Sequence, residues 1–239
     1  MQKAIRIIAI VAVVGLLLSL IIYNATKPVD YTPWNEAMTL GNKETAKHHF
    51  IMYTDIFCPY CDKFSDAVQA NMEDFNKRYI EDENVYFEIR MTDMNYKSGH
   101  SNNSKPGGEA AYCAADQGKF WEFYREALST LYEDFHSKGI GVDKTSPKIR
   151  DLENEYFYGI AERSGVEINR FKACFDNHEM EHTLDVNTNR ASSILSGVPY
   201  FVFDKFKTSG FAGNWNTTSD YEQVKLLMDA GLTSKNSHQ

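Results

Sequence analysis

The hydrophobic pattern of this chain changes period at a pair of cysteines. Residues 48–57, HHFIMYTDIF, read as a buried strand, while residues 59–79, PYCDKFSDAVQANMEDFNKRY, carry Phe64, Val68, Met72 and Phe75 at helical spacing. The junction between them is Phe57-Cys58-Pro59-Tyr60-Cys61. Pro59 suits a first helical turn, where its missing N–H costs nothing, so Cys58 falls at the helix N-terminus and Cys61 one turn in. Cys58 then faces unpaired N–H groups and the positive end of the helix dipole. Both favour a thiolate, the nucleophile and leaving group of thiol–disulfide exchange. Cys61, deeper, is the residue to resolve a mixed disulfide. A zinc clip at this pair needs two further ligands at comparable spacing, and Cys113 and Cys174 are lone cysteines within helical pattern, so no metal is expected there.

The surrounding pattern predicts an α/β class. VYFEIRM (85–91) is a second strand, completing a strand, helix, strand unit. After the loop SGHSNNSKPGG (98–108) the chain is helical from about Glu109 to about Ser196, with breaks near Gly139, Pro147 and Gly165. GVPYFVFD (197–204) and KTSGFAG (207–213) suggest two more strands, and Tyr221, Val224, Leu227 and Met228 share one face of a last helix. Strands flank the helical block, so residues 107–196 read as an insertion into the core. The expected body spans residues 37–230, opening on a short strand near Ala37–Leu40, with a linker at 24–36 and a flexible tail at 231–239. Cys113 is read on one helix with Phe120, Tyr124 and Leu131, and Cys174 sits between Phe171 and Phe175, so both cysteines are expected to be buried.

The N-terminus differs in kind. Lys3 and Arg6 precede an uncharged run from Ile7 to Tyr23, near the ~17-residue lower limit for a spanning helix. A small-x-small cleavage site is poorly met, because Tyr23 sits three residues before a cut after Ala25. The expectation is an uncleaved signal-anchor at residues 1–23, crossing the cell membrane once with a cytoplasmic N-terminus. The remainder is exported. Residues 1–23 hold two positive charges and no negative ones, so the exported part carries −10 where the whole chain carries −8. Nucleic acid is an improbable partner for such a surface. In an oxidising compartment an even count of four cysteines suggests disulfides.

MTLGNKETAKHHFIMYTDIFCPYCDKF (38–64), EAAYCAADQGKFWEFYREAL (109–128) and GVPYFVFD, in that order and spacing, resemble the landmarks of exported thioredoxin-fold oxidoreductases of the DsbA type. The resemblance spans roughly residues 37–230. It implies a thioredoxin-like fold with an inserted all-helical domain, a redox pair Cys58/Cys61 with Pro59 and Tyr60 between them, and no cofactor. It also implies a cis Val198–Pro199 bond that faces the active sulfurs and offers backbone groups to a substrate strand. A second disulfide, Cys113–Cys174, inside the helical domain follows from the same resemblance. Its implied activity is that of a dithiol oxidase acting on unfolded exported proteins with free thiols, reoxidised by a quinone-linked membrane partner. A reductase or isomerase of the same fold is the nearest alternative, since Pro59-Tyr60 also occurs in reducing relatives. Phe57, Tyr60 and Tyr200 are candidates for an apolar docking surface.

The chain departs from that family at Met52. Six residues before the first cysteine a buried Glu or Asp is usual, there to exchange protons with the second cysteine; Asp55 is the nearest substitute and is poorly placed for the task. Two further readings stand further off. HEMEH, residues 178–182, would put His178 and His182 one turn apart on a helix with Glu179 as general base, the arrangement of a zinc peptidase. Glu181, Asp185 and Asn187 make that stretch read as a solvated surface helix instead. The other is a chaperone whose disulfide is idle.

Overall fold

The computed structural model describes residues 13–16, 18–19, 35–98, 100–143, 145–195, 197–204, 206–210 and 220–234. The chain divides into two units, Met1–Thr32 and Pro33–Gln239. In the first, the described residues are helical, and Val13, Val14, Leu16 and Leu18 are exposed. Most of the expected anchor and linker lies outside the described residues. Among the described residues no helix is long and apolar enough to cross a membrane.

The second unit is built on a five-stranded sheet of order β1-β3-β2-β4-β5: β1 is Thr39–Leu40, β2 His48–Thr54, β3 Val85–Met91, β4 Tyr200–Phe203 and β5 Phe206–Ser209. β2 and β3 run parallel, and every other neighbouring pair is antiparallel. The two central strands are covered on both faces, which is why they read as near-continuous apolar runs. On one face Phe50 sits opposite Phe87 and Phe203, and Met52 opposite Ile89 and Phe201. Helix α1, Pro59–Ala70, lays Phe64 on this face, its ring 5.0 Å from that of Phe201 and 6.4 Å from that of Phe50. The other face holds Ile51, Tyr53 and Val202 together with a buried ion pair, Arg90 Nε to Glu88 Oε1 at 2.7 Å.

The helix expected through Tyr79 is broken. α1 stops at Ala70, a short α2 spans Met72–Phe75, and the chain then widens into π-helical turns over Asn76–Asp82. Between β3 and β4 lies the helical block: α3 Met94–Lys97, α4 Ser104–Ala115, α5 Phe120–Asp134, α6 Asn154–Ser164, α7 Ile168–Asp176 and α8 Glu181–Ser192. A closing helix, α9 (Asp220–Thr233), buries Val224, Leu227 and Met228. Cys113 does not share a helix with Phe120, Tyr124 and Leu131. The chain turns over residues 116–119, where Gly118 takes φ +69°, so Cys113 is on α4 and the aromatics on α5. Cys113 and Cys174 are bonded to each other, joining α4 to α7.

His178, Glu179 and His182 are exposed, as the reading of HEMEH as a surface stretch expects, whereas Asn187, read as part of the same solvated face, is buried by the packing of α8. Leu184, Asn187, Thr188 and Ala191 form a buried face, and Asn187 donates to the Met91 carbonyl and to the Tyr112 hydroxyl. The polar face was the visible one in the sequence because Glu181 and Asp185 do point outward, beside Lys105. His178 precedes this helix, in a turn with φ +53°, and its Nδ1 lies 2.8 Å from the Glu109 carboxylate. His178 and His182 therefore do not stand one turn apart on one helix, and the spacing on which a peptidase site depends is not formed.

Candidate active site

The site begins where β2 ends. Asp55 leaves the strand and its backbone carbonyl accepts from Cys58 N–H at 3.0 Å, while its carboxylate accepts from Phe57 N–H and from Asn95 N–H, both at 2.9 Å. This closes a tight loop that delivers Cys58 to the start of α1 in extended conformation. Cys58 caps the helix: its Sγ accepts from Cys61 N–H at 3.3 Å, a bond that stabilises negative charge as it develops on the sulfur. Pro59 occupies the first helical turn.

Both cysteines are thiols in this structure and both are buried, Cys58 4% exposed and Cys61 not at all. Burial pushes the Cys61 thiol well above the ordinary thiol range, and the neighbouring Cys58 adds to the effect. Hydrogen bonding by the Thr54 hydroxyl and the Asp55 N–H acts in the opposite sense. The Asp55 carboxylate does not turn toward Cys61; it is spent on the loop, and burial pushes it up to about 6. Met52 is fully buried under the sheet's aromatic face.

Opposite Cys58 stands the 197–199 segment. The Val198–Pro199 peptide is cis, and the Val198 carbonyl accepts from Cys58 Sγ at 3.6 Å. Beside Cys58 opens a groove of about 400 Å³ lined by Phe57, Tyr60, Met94, Asn95, Ile149 and Val198 among others. Of the three aromatics expected to form a docking surface, Tyr60 is 47% exposed, Phe57 is buried and lines the groove, and Tyr200 is half-buried in β4. Sequence reasoning missed Asn95, which bridges Asp55 and the Phe57 carbonyl, and missed Tyr124, whose hydroxyl bonds to Thr54 at the end of β2 and to Ser65 on α1. Both come from the chain beyond β3, with no local pattern that marks them.

A thioredoxin family model matches residues 35–227. Comparison with curated protein sequences gives no significant match. Among solved structures, BdbD from Bacillus subtilis superposes with TM-score 0.57 at 14% identity, covering 82% of this chain and 92% of its own. DsbA from Chlamydia trachomatis gives 0.54 at 13% identity, covering 88% and 96%. The disulfide bond oxidoreductase DsbG from Mycobacterium tuberculosis gives 0.53 at 16%, covering 83% and 90%. At these identities the likeness is one of fold, and it extends across the inserted helices as well as the sheet. With the family model spanning nearly all of the second unit, the chain belongs to the thioredoxin family and has the DsbA-type form of its fold.

Proposed function

We propose that this protein is a thiol–disulfide oxidoreductase working as a dithiol oxidase outside the cytoplasm. Its substrates are exported proteins with free thiols, it is held by its N-terminal segment at the membrane, and a quinone-linked membrane partner reoxidises it. The observation that carries the reading is the pair Cys58/Cys61 at a helix N-terminus, with Cys58 Sγ beside the Val198 carbonyl and an open apolar groove. Fold-mates named as thiol–disulfide exchange proteins and oxidoreductases support it.

In the proposed cycle a substrate thiolate attacks Cys58 Sγ of the Cys58–Cys61 disulfide. The new bond joins substrate sulfur to Cys58, the old bond breaks, and its electron pair passes to Cys61, which takes up a proton. A second substrate thiolate then attacks the first substrate sulfur and Cys58 leaves as thiolate, its charge held by the Cys61 N–H. The substrate loses two electrons and the enzyme becomes a dithiol. Val198 and Pro199 present backbone to the incoming substrate segment, and Phe57 and Tyr60 supply apolar contact.

The test is the reduction potential of the Cys58–Cys61 couple in the detergent-solubilised full chain, with Cys113 and Cys174 followed separately by mass. A value near about −120 mV is expected of an oxidase; one near about −270 mV would make the protein a reductase and overturn the proposed direction.

A further inference from the structure

Cys61 poses a problem for the cycle just described, and this inference rests on that cycle. It is shut away from water, yet it must receive the electron pair when the disulfide opens. Burial alone makes that costly, and the acidic residue usual in DsbA-type proteins is replaced by Met52.

Thr54 lies two residues beyond Met52 on the same face of β2, so the polar group missing at one position reappears one strand step nearer the sulfur. Its Oγ1 is 3.1 Å from the Tyr124 hydroxyl, and that hydroxyl is 3.0 Å from Ser65 Oγ. Thr54 and Tyr124 are fully buried and Ser65 nearly so. The three groups come from the strand end, the inserted helix α5 and the active-site helix α1, where Ser65 stands one turn beyond Cys61 on the same buried face, so the hydroxyls gather on the side of α1 that carries Cys61. Each hydroxyl can give one hydrogen and take one. With Cys61 as thiol, S–H donates to Thr54, which donates to Tyr124. With Cys61 as thiolate the chain reverses, and Ser65 gives to Tyr124, Tyr124 to Thr54, and Thr54 to the sulfur.

We propose that Thr54 is a catalytic residue whose hydroxyl donates to Cys61 Sγ as the disulfide opens, and that Tyr124 and Ser65 are positioning residues that aim it. The bond forming is substrate sulfur to Cys58 Sγ and the bond breaking is Cys58 Sγ to Cys61 Sγ. The electron pair settles on Cys61, where the Thr54 O–H and Asp55 N–H meet it, and a proton from solvent, equivalent to the one the attacking thiol gave up on ionising, then leaves Cys61 a thiol. Donors already aimed at a buried site of developing charge need no reorganisation when the bond breaks.

The experiment measures how fast reduced glutathione opens the Cys58–Cys61 disulfide of the full chain in detergent near neutral pH, by acid quench, alkylation and mass. Equilibrium constants with glutathione and melting temperatures are measured on the same samples. Thr54→Val keeps the shape of the side chain and is expected to open about tenfold more slowly. Thr54→Ser keeps the hydroxyl and should stay within about twofold of the native protein, and Tyr124→Phe should fall between, near about threefold slower. The equilibrium constant should move much less than the rate in each variant, because Cys61 ends the reaction as a thiol, whose S–H gives Thr54 only a weak bond, and a change in packing alone would not separate rate from equilibrium in this way. The proposal is overturned if Thr54→Val opens as fast as the native protein. It fails equally if Thr54→Ser is as slow as Thr54→Val, or if rate, equilibrium and melting fall together. A native protein that glutathione does not open at all would instead remove the oxidoreductase reading on which the proposal stands.

Discussion

Asp55 and Cys61 are both fully buried at the site, and their environments answer different needs. The Asp55 carboxylate is pushed from its ordinary 3.8 up to about 6, by burial first, against the lowering effect of N–H bonds from Asn95 and Phe57. A carboxyl that ionises later in the native state than in the unfolded one makes the native state bind more protons through that interval. Stability from this group is therefore greatest below about pH 4, declines as pH rises to about 6 and is level above, a span of about 3 kcal/mol. Asp55→Asn removes the ionisation. Urea unfolding of native and variant protein near pH 4 and near pH 7 should show the gap between them shifting by about 2 kcal/mol in the variant's favour at the higher pH. An equal gap at both would mean that Asp55 titrates normally. At this scale the Cys58–Cys61 junction was legible because everything that defines it lies within five residues. The Thr54–Tyr124 contact was not, because its partners stand 70 residues apart.

Elements bring such distant residues together, Asn95 on α3 and Tyr124 on α5, and α4 packs against the loop that they support. Gly107 lies where the helix crosses the loop that carries the active cysteines: a Cβ there would come 2.4 Å from Ile56 Cγ2 and 2.8 Å from Phe57 Cε2. Gly107→Ala must push that loop, at a cost of about 1–3 kcal/mol, and a slower glutathione reaction should accompany the lower melting temperature. Unchanged values of both would show that the loop yields freely. At its other end α4 is tied to α7 by Cys113–Cys174, which closes a stretch of 61 residues. Replacing both cysteines by Ala should lower unfolding stability by about 4 kcal/mol on the chain-entropy estimate, measured in denaturant with the Cys58–Cys61 state held constant. A loss under about 1 kcal/mol would mean that α4–α7 packing alone holds the block. The sequence pattern located this helical block but misplaced some of its internal boundaries, since Gln117 and Lys119 sit comfortably in a helical pattern and only Gly118 marks the turn. It also read α8 by its charged side, because a buried Asn and Thr carry no hydrophobic signal.

For the molecule as a whole, charge decides how it can be held at a membrane. The chain beyond residue 23 carries −10, and an anionic leaflet repels such a body rather than attracting it. The proposed attachment is therefore insertion of the run from Ile7 to Tyr23, with Lys3 and Arg6 favouring a cytoplasmic N-terminus. Two consequences separate insertion from surface adsorption. Membranes from cells making the full chain should retain the protein through high salt and carbonate and release it only in detergent, while a chain begun at Asn24 should not sediment with them. A membrane-impermeant thiol reagent added to intact cells should label Cys58 after mild reduction, and Cys58→Ser should remove that label. Release by salt would indicate adsorption, and labelling only after lysis would put the thiols on the cytoplasmic side. In a compartment that keeps thiols reduced, the oxidase direction would lose its purpose, so the side on which Cys58 is labelled bears on the direction of electron flow as well as on place.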